Sequence, residues 1–315
     1  MHFHSVIKMK RRTITIVAIA LAGVLAFDGC SAPSRKGSSE PPSASSSVLK
    51  ELPTSYAEDA IMYSNLTDDA SRKEVTDILR DCGISKEQTD TLLAWVDDFN
   101  KRVKTPLSDG FQKMAGPEVD YSKIVYDPKE TEEDSFLPEA NCRLTSFLLM
   151  RDLIQTKGKK DKSDTYLMFD VEAIETAEQF QSHREKIANY YSLFNWISVK
   201  NLKTVEQHVG AIQKAWKDRG IQIDSSKGIS LINVYMHSIF EDVRIVGHTG
   251  VLFDLGDKLL FVEKYGPEAP FMAIWFHNRE ELQKYVLVRK DLYGDKEEVA
   301  PIVMENGQIM KTEQQ

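Results

Sequence analysis

The chain has 315 residues, 42% of them hydrophobic and 28% charged, and carries a net charge of −8. That balance is globular and excludes a largely disordered chain. The acidic surplus argues against sequence-independent binding to nucleic acid, which needs excess cations. Three cysteines are too few for a disulfide framework.

The first segment reads as an address. Lys8, Lys10, Arg11 and Arg12 precede an uncharged apolar run, 13–27, too short to span a bilayer. The run ends at Gly29-Cys30. This ending resembles the lipobox of bacterial lipoproteins, which implies that residues 1–29 are a signal peptide and Cys30 the acylated N-terminus. Phe27 and Asp28 depart from the usual lipobox residues, and Met9 is an alternative start. Residues 30–54 then form a tether, with eight Ser, three Pro and one Gly within 31–47. The expected partner of this end is membrane lipid, and the expected location is the outer face of a cell membrane.

Residues 55–315 read as a single α+β domain, with helices first and antiparallel strands last. Helical spacing predicts helices over 71–80 and 85–101, with Gly83 ending the first. Residues 115–138, with Gly116-Pro117 and Asp127-Pro128, read as irregular. Asn141 is a suitable cap for a helix that places Cys142 in its first turn. A strand is expected over 165–171, and helices over 176–199 and 202–219. Strands follow over 229–239, 243–254, 258–265 and 271–276. Asn278 caps a short helix with Glu281 three residues on, and Leu287-Val288 is a candidate edge strand.

Chemistry is expected at Cys142, because a helix N-terminus favours the thiolate. A nucleophilic thiol also needs an imidazole and a group to orient it. Of seven histidines, His183 and His208 read as surface residues on helices, while His237, His248 and His277 lie on or beside strands. His248 stands out between Gly247 and Gly250. If Gly256-Asp257 is a two-residue turn, Leu255 pairs with Lys258 and Gly250 faces Glu263. His248 is then the diagonal neighbour of Glu263 on one face, with open space left by Gly250. A three-residue turn would put Glu263 on the opposite face. The candidate set is therefore Cys142 as nucleophile, His248 as acid and base, and Glu263 as orienter. Convergence of His237, His248, Glu263 and His277 on a metal is the competing reading. No HExxH, CxxC or glycine-rich phosphate motif is present, so neither a metal nor an organic cofactor is expected.

Asn141-Cys142-Arg143, Val246 to Val251 and Leu260 to Lys264, with Tyr63 to Leu66 and Pro270 to Ala273, resemble a bacterial lipoprotein family catalogued as domain of unknown function 4300. That resemblance covers about 60–305 and implies no activity. The order of Cys on a helix, His on a strand and a polar residue one strand later is similar to papain-like thiol hydrolases of the NlpC/P60 type. It implies a papain-like arrangement and hydrolysis of amide bonds. The Asp-Cys-Ser-Gly neighbourhood of that type is replaced here by Asn141-Cys142-Arg143-Leu144. A domain tethered within the wall makes peptidoglycan peptides the expected substrate. A non-catalytic lipoprotein binding a peptide, glycan or protein, with Trp196, Trp216 and Trp275 as aromatic supply, is the alternative.

Overall fold

A computed structural model describes residues 60–127, 140–158 and 161–312. The expected signal peptide, Cys30, the tether and most of the acidic stretch before Cys142 lie outside the described residues. The elements run β1 (Met62–Ser64), α1 (Asp69–Asp81), α2 (Lys86–Arg102), β2 (Gln112–Lys113), α3 (Cys142–Met150), β3 (Ile154–Gln155), α4 (Met168–Thr176), α5 (Glu178–Gln181), α6 (Ile187–Phe194), β4 (Ile197–Ser198), α7 (Val205–Arg219), β5 (Gln222–Ile223), β6 (Ile229–Ser238), β7 (Val243–Asp254), β8 (Leu259–Lys264), β9 (Phe271–Phe276), α8 (Arg279–Leu287), β10 (Ile302–Glu305) and β11 (Gln308–Ile309). The fold class is α+β.

One antiparallel sheet organises the described chain, in the order β11-β10-β6-β7-β8-β9-β1-β2, with β4 also on β7. Both of its faces are covered. Val251, Leu260 and Val262 join a core with α1, α2, α3 and α6, while Leu252, Phe261 and Ile274 join a second core with α8. Double burial explains why β8 and β9 read as continuous apolar runs rather than alternating ones. It also forces an accommodation at two adjacent charged residues. Glu263 and Lys264 project to opposite faces, and both are buried. The Lys264 ammonium lies 3.5 Å from the centre of the Phe99 ring and donates to the carbonyls of Pro267 and Ala269.

The helix ends follow local chemistry. Ser85 and Gln88 form a reciprocal capping box at α2, and Gln88 then reaches the carbonyls of Leu148 and Leu149 at 2.8 and 3.1 Å. That contact ties α2 to the end of α3. Thr204 and Gln207 cap α7, and Gly220 ends it in the left-handed region.

Several expectations are corrected. Residues 165–171 are a short 3-10 turn leading into α4, not a strand. The Asp164 carboxylate accepts the Tyr166 N–H at 2.9 Å, which starts a helical turn. Leu167, Asp170 and Ile174 are buried at +3 and +4 spacing, a helical face that a short apolar run conceals. The helix expected over 176–199 is broken into α5, a 3-10 turn and α6, and it gives way to β4. Leu287 ends α8, with Val288 as its cap, so neither is an edge strand. The layers are also less segregated than expected, because β1 inserts beside β9.

His208 is buried, not a surface residue. Its Nδ1 accepts Arg244 Nε at 2.8 Å, which leaves the proton on Nε2, facing the Leu202 carbonyl at 3.4 Å. Burial, then the Arg244 charge, lower its pKa to about 4. A histidine depressed in the folded state stabilises fully above its unfolded pKa of about 6.5 and loses that contribution as pH falls toward about 4. Melting temperatures measured across that window should fall more steeply for the native chain than for His208→Gln; parallel curves would contradict it.

The β7–β8 register follows the two-residue turn. Leu255 N–H bonds the Lys258 carbonyl at 3.1 Å, and Val251 pairs with Val262. The space expected over Gly250 is not open, however. A Cβ there would meet the Phe261 ring at 2.2 Å. Gly250→Ala should therefore destabilise the fold by about 1–3 kcal/mol, and Phe261→Leu in the same chain should recover part of that loss in denaturant melts.

Candidate active site

The site forms where α3 packs against β7 and β8. The Asn141 side chain caps α3 by accepting the Leu144 N–H at 2.9 Å. Cys142 thus occupies the first turn, where backbone N–H groups have no partner inside the helix and favour negative charge. A bulge brings the imidazole to meet it. Val234 pairs with His248 but Tyr235 pairs with Val246, so Gly247 is the extra residue of β7. A Cβ at Gly247 would lie 2.7 Å from Met236 Sδ. Glycine permits that approach, and the bulge re-aims the following side chain.

His248 Nε2 contacts Glu263 Oε2, and the other Glu263 oxygen accepts the Tyr285 hydroxyl. With Nε2 given to the carboxylate, Nδ1 is the ring nitrogen left for Cys142, whose thiol and the ring shift each other's protonation. Cys142, His248 and Glu263 are all buried, the thiol being 7% exposed. The structure therefore brings these three candidates together. It places the other two strand-side histidines, His237 and His277, elsewhere. His237 accepts the Val299 N–H at 3.1 Å, and His277 lies against Glu281. No group of metal-ligating side chains converges among the described residues.

The protonation equilibria reinforce one another. Burial raises the Cys142 pKa, but hydrogen bonding and charge from His248, with Arg143 and Arg289 behind it, bring it below the ordinary thiol value. Burial and Arg289 lower the His248 pKa, yet Glu263 and the Cys142 contact raise it above the ordinary value. Burial raises Glu263, and His248, Arg289 and the Tyr285 hydroxyl lower it overall. The three shifts all point toward a thiolate, an imidazolium and a carboxylate in series. Cys82 goes the other way, as burial and then Asp81 push its thiol up despite Lys227.

A second buried carboxylate fixes the residues beside Cys142. Asp170 accepts Asn141 Nδ2 and the Tyr190 hydroxyl, and it pairs with Arg143 Nε at 2.5 Å. Arg143 Nη1 also donates to the Val246 carbonyl at 3.1 Å, next to the bulge. The residues on either side of Cys142 are therefore fixed to one anion, and one of them to β7. Sequence reasoning missed Asp170, Tyr190, Tyr285 and Arg289. A signal existed for Arg143, the least buried residue of α3 and its only charged one. Another existed for Asp170, a lone charge within an apolar run.

Over residues 62–310 the chain matches the family described as Domain of unknown function (DUF4300), and it belongs to that family. No curated protein and no solved structure matches it.

Cys82 and Cys142 have the same residue exposure, 7%, and their thiols differ in environment. Iodoacetamide at pH 6, followed by peptide mass mapping, should therefore alkylate Cys142 well before Cys82, and His248→Asn should remove the difference. The rate at Cys142 should persist down to pH values where an ordinary thiol, with a pKa of about 8.5, has stopped reacting. Equal labelling would contradict an activated thiol.

Proposed function

We propose that this DUF4300 member is a lipid-anchored extracytoplasmic cysteine hydrolase with a papain-like arrangement, acting on amide bonds in peptidoglycan peptides. The observation that carries the reading is the unbroken contact from Cys142 through His248 to Glu263, with each pKa shifted in the direction a nucleophilic thiolate requires.

In this reading the Cys142 thiolate attacks the amide carbonyl carbon. The oxyanion is met by N–H groups at the start of α3. His248 gives its proton to the departing amine as the C–N bond breaks, leaving a thioester on Cys142 and a neutral imidazole. Water then attacks the thioester with His248 taking its proton. The acid leaves, and the thiolate–imidazolium pair is restored. Glu263 keeps the ring oriented and stabilises its charged form. Acylation at Cys30 and the Ser/Pro-rich stretch behind it would hold this chemistry close to a membrane and within reach of the wall.

A binding role without catalysis is the second reading, favoured by the burial of all three side chains. The aromatic supply offers it less. Trp216 is buried and Trp275 packs against the core, so Trp196, 40% exposed, is left at the surface.

The deciding experiment incubates the full chain with soluble peptidoglycan stem peptides and reads new amine and acid ends by mass spectrometry. Cys142→Ser should reduce cleavage by at least about 10³-fold, with the melting temperature within about 5 °C of the native value. Intact peptides with the native chain would favour the binding reading. Unfolding of Cys142→Ser would assign the thiol to packing.

A further inference from the structure

Arg289 is 6% exposed and is not used in the cleavage chemistry above. Its guanidinium lies 4.2 Å over the Tyr265 ring. Its Nη2 and Nε reach the exposed carboxylate of Asp291 at 3.1 and 3.4 Å. Nη1 is buried and has no hydrogen-bond partner among the described residues. A buried charged donor left unmade costs free energy, so an unfilled Nη1 is a position that a ligand acceptor would relieve.

Two further facts locate that position. Arg289 lines a cleft of about 680 Å³, walled by Glu118 to Ser122 on one side and Tyr265 to Ala269 on the other. The volume falls within the range of about 300–1,000 Å³ typical of small-ligand sites. The same guanidinium is close enough to Cys142, His248 and Glu263 to bias the protonation of all three. The chain also joins the cleft to the site: Tyr265 follows Glu263 by two residues, and Arg289 follows Tyr285, which donates to Glu263, by four. The walls are also fixed before any ligand arrives. Tyr121 meets Tyr265 edge to face at 5.1 Å and accepts Asn65 Nδ2 at 2.7 Å, Glu118 accepts the Tyr265 hydroxyl at 2.6 Å, and Lys264 pins the turn at Pro267 and Ala269.

We propose that Arg289 receives the free carboxylate of the substrate, so that the enzyme removes a residue from the carboxyl end of a peptide. The proposal rests on the amide-hydrolase reading and adds the substrate class to it. With Nε and Nη2 turned to Asp291, the Nη1 side of the guanidinium is the donor left for a substrate carboxylate, and the Tyr265 face holds the plane in register. The cleft suits one negative charge rather than two. Glu118, Asp120, Glu268 and Asp291 stand around it, so a phosphate dianion or a second carboxylate on the terminal residue meets repulsion at the rim, whereas an ammonium group is welcomed there. The bond cut is then the amide whose leaving amine carries the carboxylate, and His248 protonates that amine as the C–N bond breaks.

The test uses tripeptides Ala-Ala-Xaa, with Xaa as Ala, Lys or Glu in L and D forms, each as the free acid and as the C-terminal carboxamide. Two readouts are taken on the full chain: cleavage, and binding to Cys142→Ser by calorimetry. The expected result is at least tenfold preference for acid over carboxamide in both, with Lys best and Glu worst at the terminal position. Arg289→Gln should reduce the acid-to-carboxamide ratio toward one, chiefly through KM. Arg289→Lys keeps a cation near Cys142, so its alkylation rate should stay near native while the ratio falls. The native chain alone tests the preference should both variants fold poorly. Cleavage or binding without discrimination between acid and carboxamide would overturn the assignment of Arg289 and leave the hydrolase standing. Selective binding of the acids without cleavage would retain the carboxylate site and overturn the hydrolase.

Discussion

Glu263 has no solvent contact, and the rest of the site follows from keeping it charged. An isolated carboxylate in a protein interior costs several kcal/mol unless opposite charge and hydrogen bonds offset it. Here one oxygen faces the His248 ring and the other accepts the Tyr285 hydroxyl, with Arg289 nearby. A carboxylate so placed raises the basicity of the imidazole, and a charged imidazole lowers the acidity threshold of the thiol beside it. The anion at one end of the chain of contacts thus favours an anion at the other. Tyr285 belongs to α8, so the helix that closes the second core also completes the carboxylate's hydrogen bonding.

Asp170 repeats the device on the other side of the nucleophile. It is equally buried and accepts from Asn141, Arg143 and Tyr190. Since Asn141 is the cap and Arg143 the second residue of α3, the start of the helix has little freedom to rotate. The Arg143 link to the Val246 carbonyl then sets the helix against the bulged strand. Position, rather than extra charge, is what this second anion supplies. A thiol that could swing by an ångström would lose much of the benefit of its imidazole.

Features set by neighbouring residues were legible in the sequence, and features set by distant ones were not. Asn141 before an apolar run gave the cap, and Gly256-Asp257 gave the register that puts His248 and Glu263 on one face, because both signals are local. The bulge at Gly247 could not be read, since it depends on Met236 and on pairing with β6. The strand reading of 165–171 failed because seven mostly apolar residues fit a buried strand as well as one helical face, and the decision lay with Asp164 and with Arg143, which draws Asp170 inward. His208 looked superficial on a polar helix, yet its partner is Arg244, thirty-six positions away on β7. The insertion of β1 beside β9 joins residues more than 200 positions apart, and that of β10 beside β6 joins residues about 70 apart, so neither leaves a local mark.

Six charged groups around Cys142 balance one another, while Lys264, Arg244, Arg151 and Asp164 are buried outside that set. Cys142, Glu263 and Asp170 contribute three negatives when ionised; His248, Arg143 and Arg289 contribute three positives. Such a set can be buried without a net field, whereas loss of any one member leaves a partner unbalanced. In the proposed chemistry acylation removes the thiolate and discharges the imidazolium in the same step, so the sum stays at zero. Deacylation restores both together. A carboxylate arriving on Arg289 is the one event that changes the balance, and it shifts the surroundings of His248 toward holding its proton. Binding of the acid end would thereby keep the imidazolium populated until the leaving amine takes its proton, which links substrate choice to chemistry through a single guanidinium.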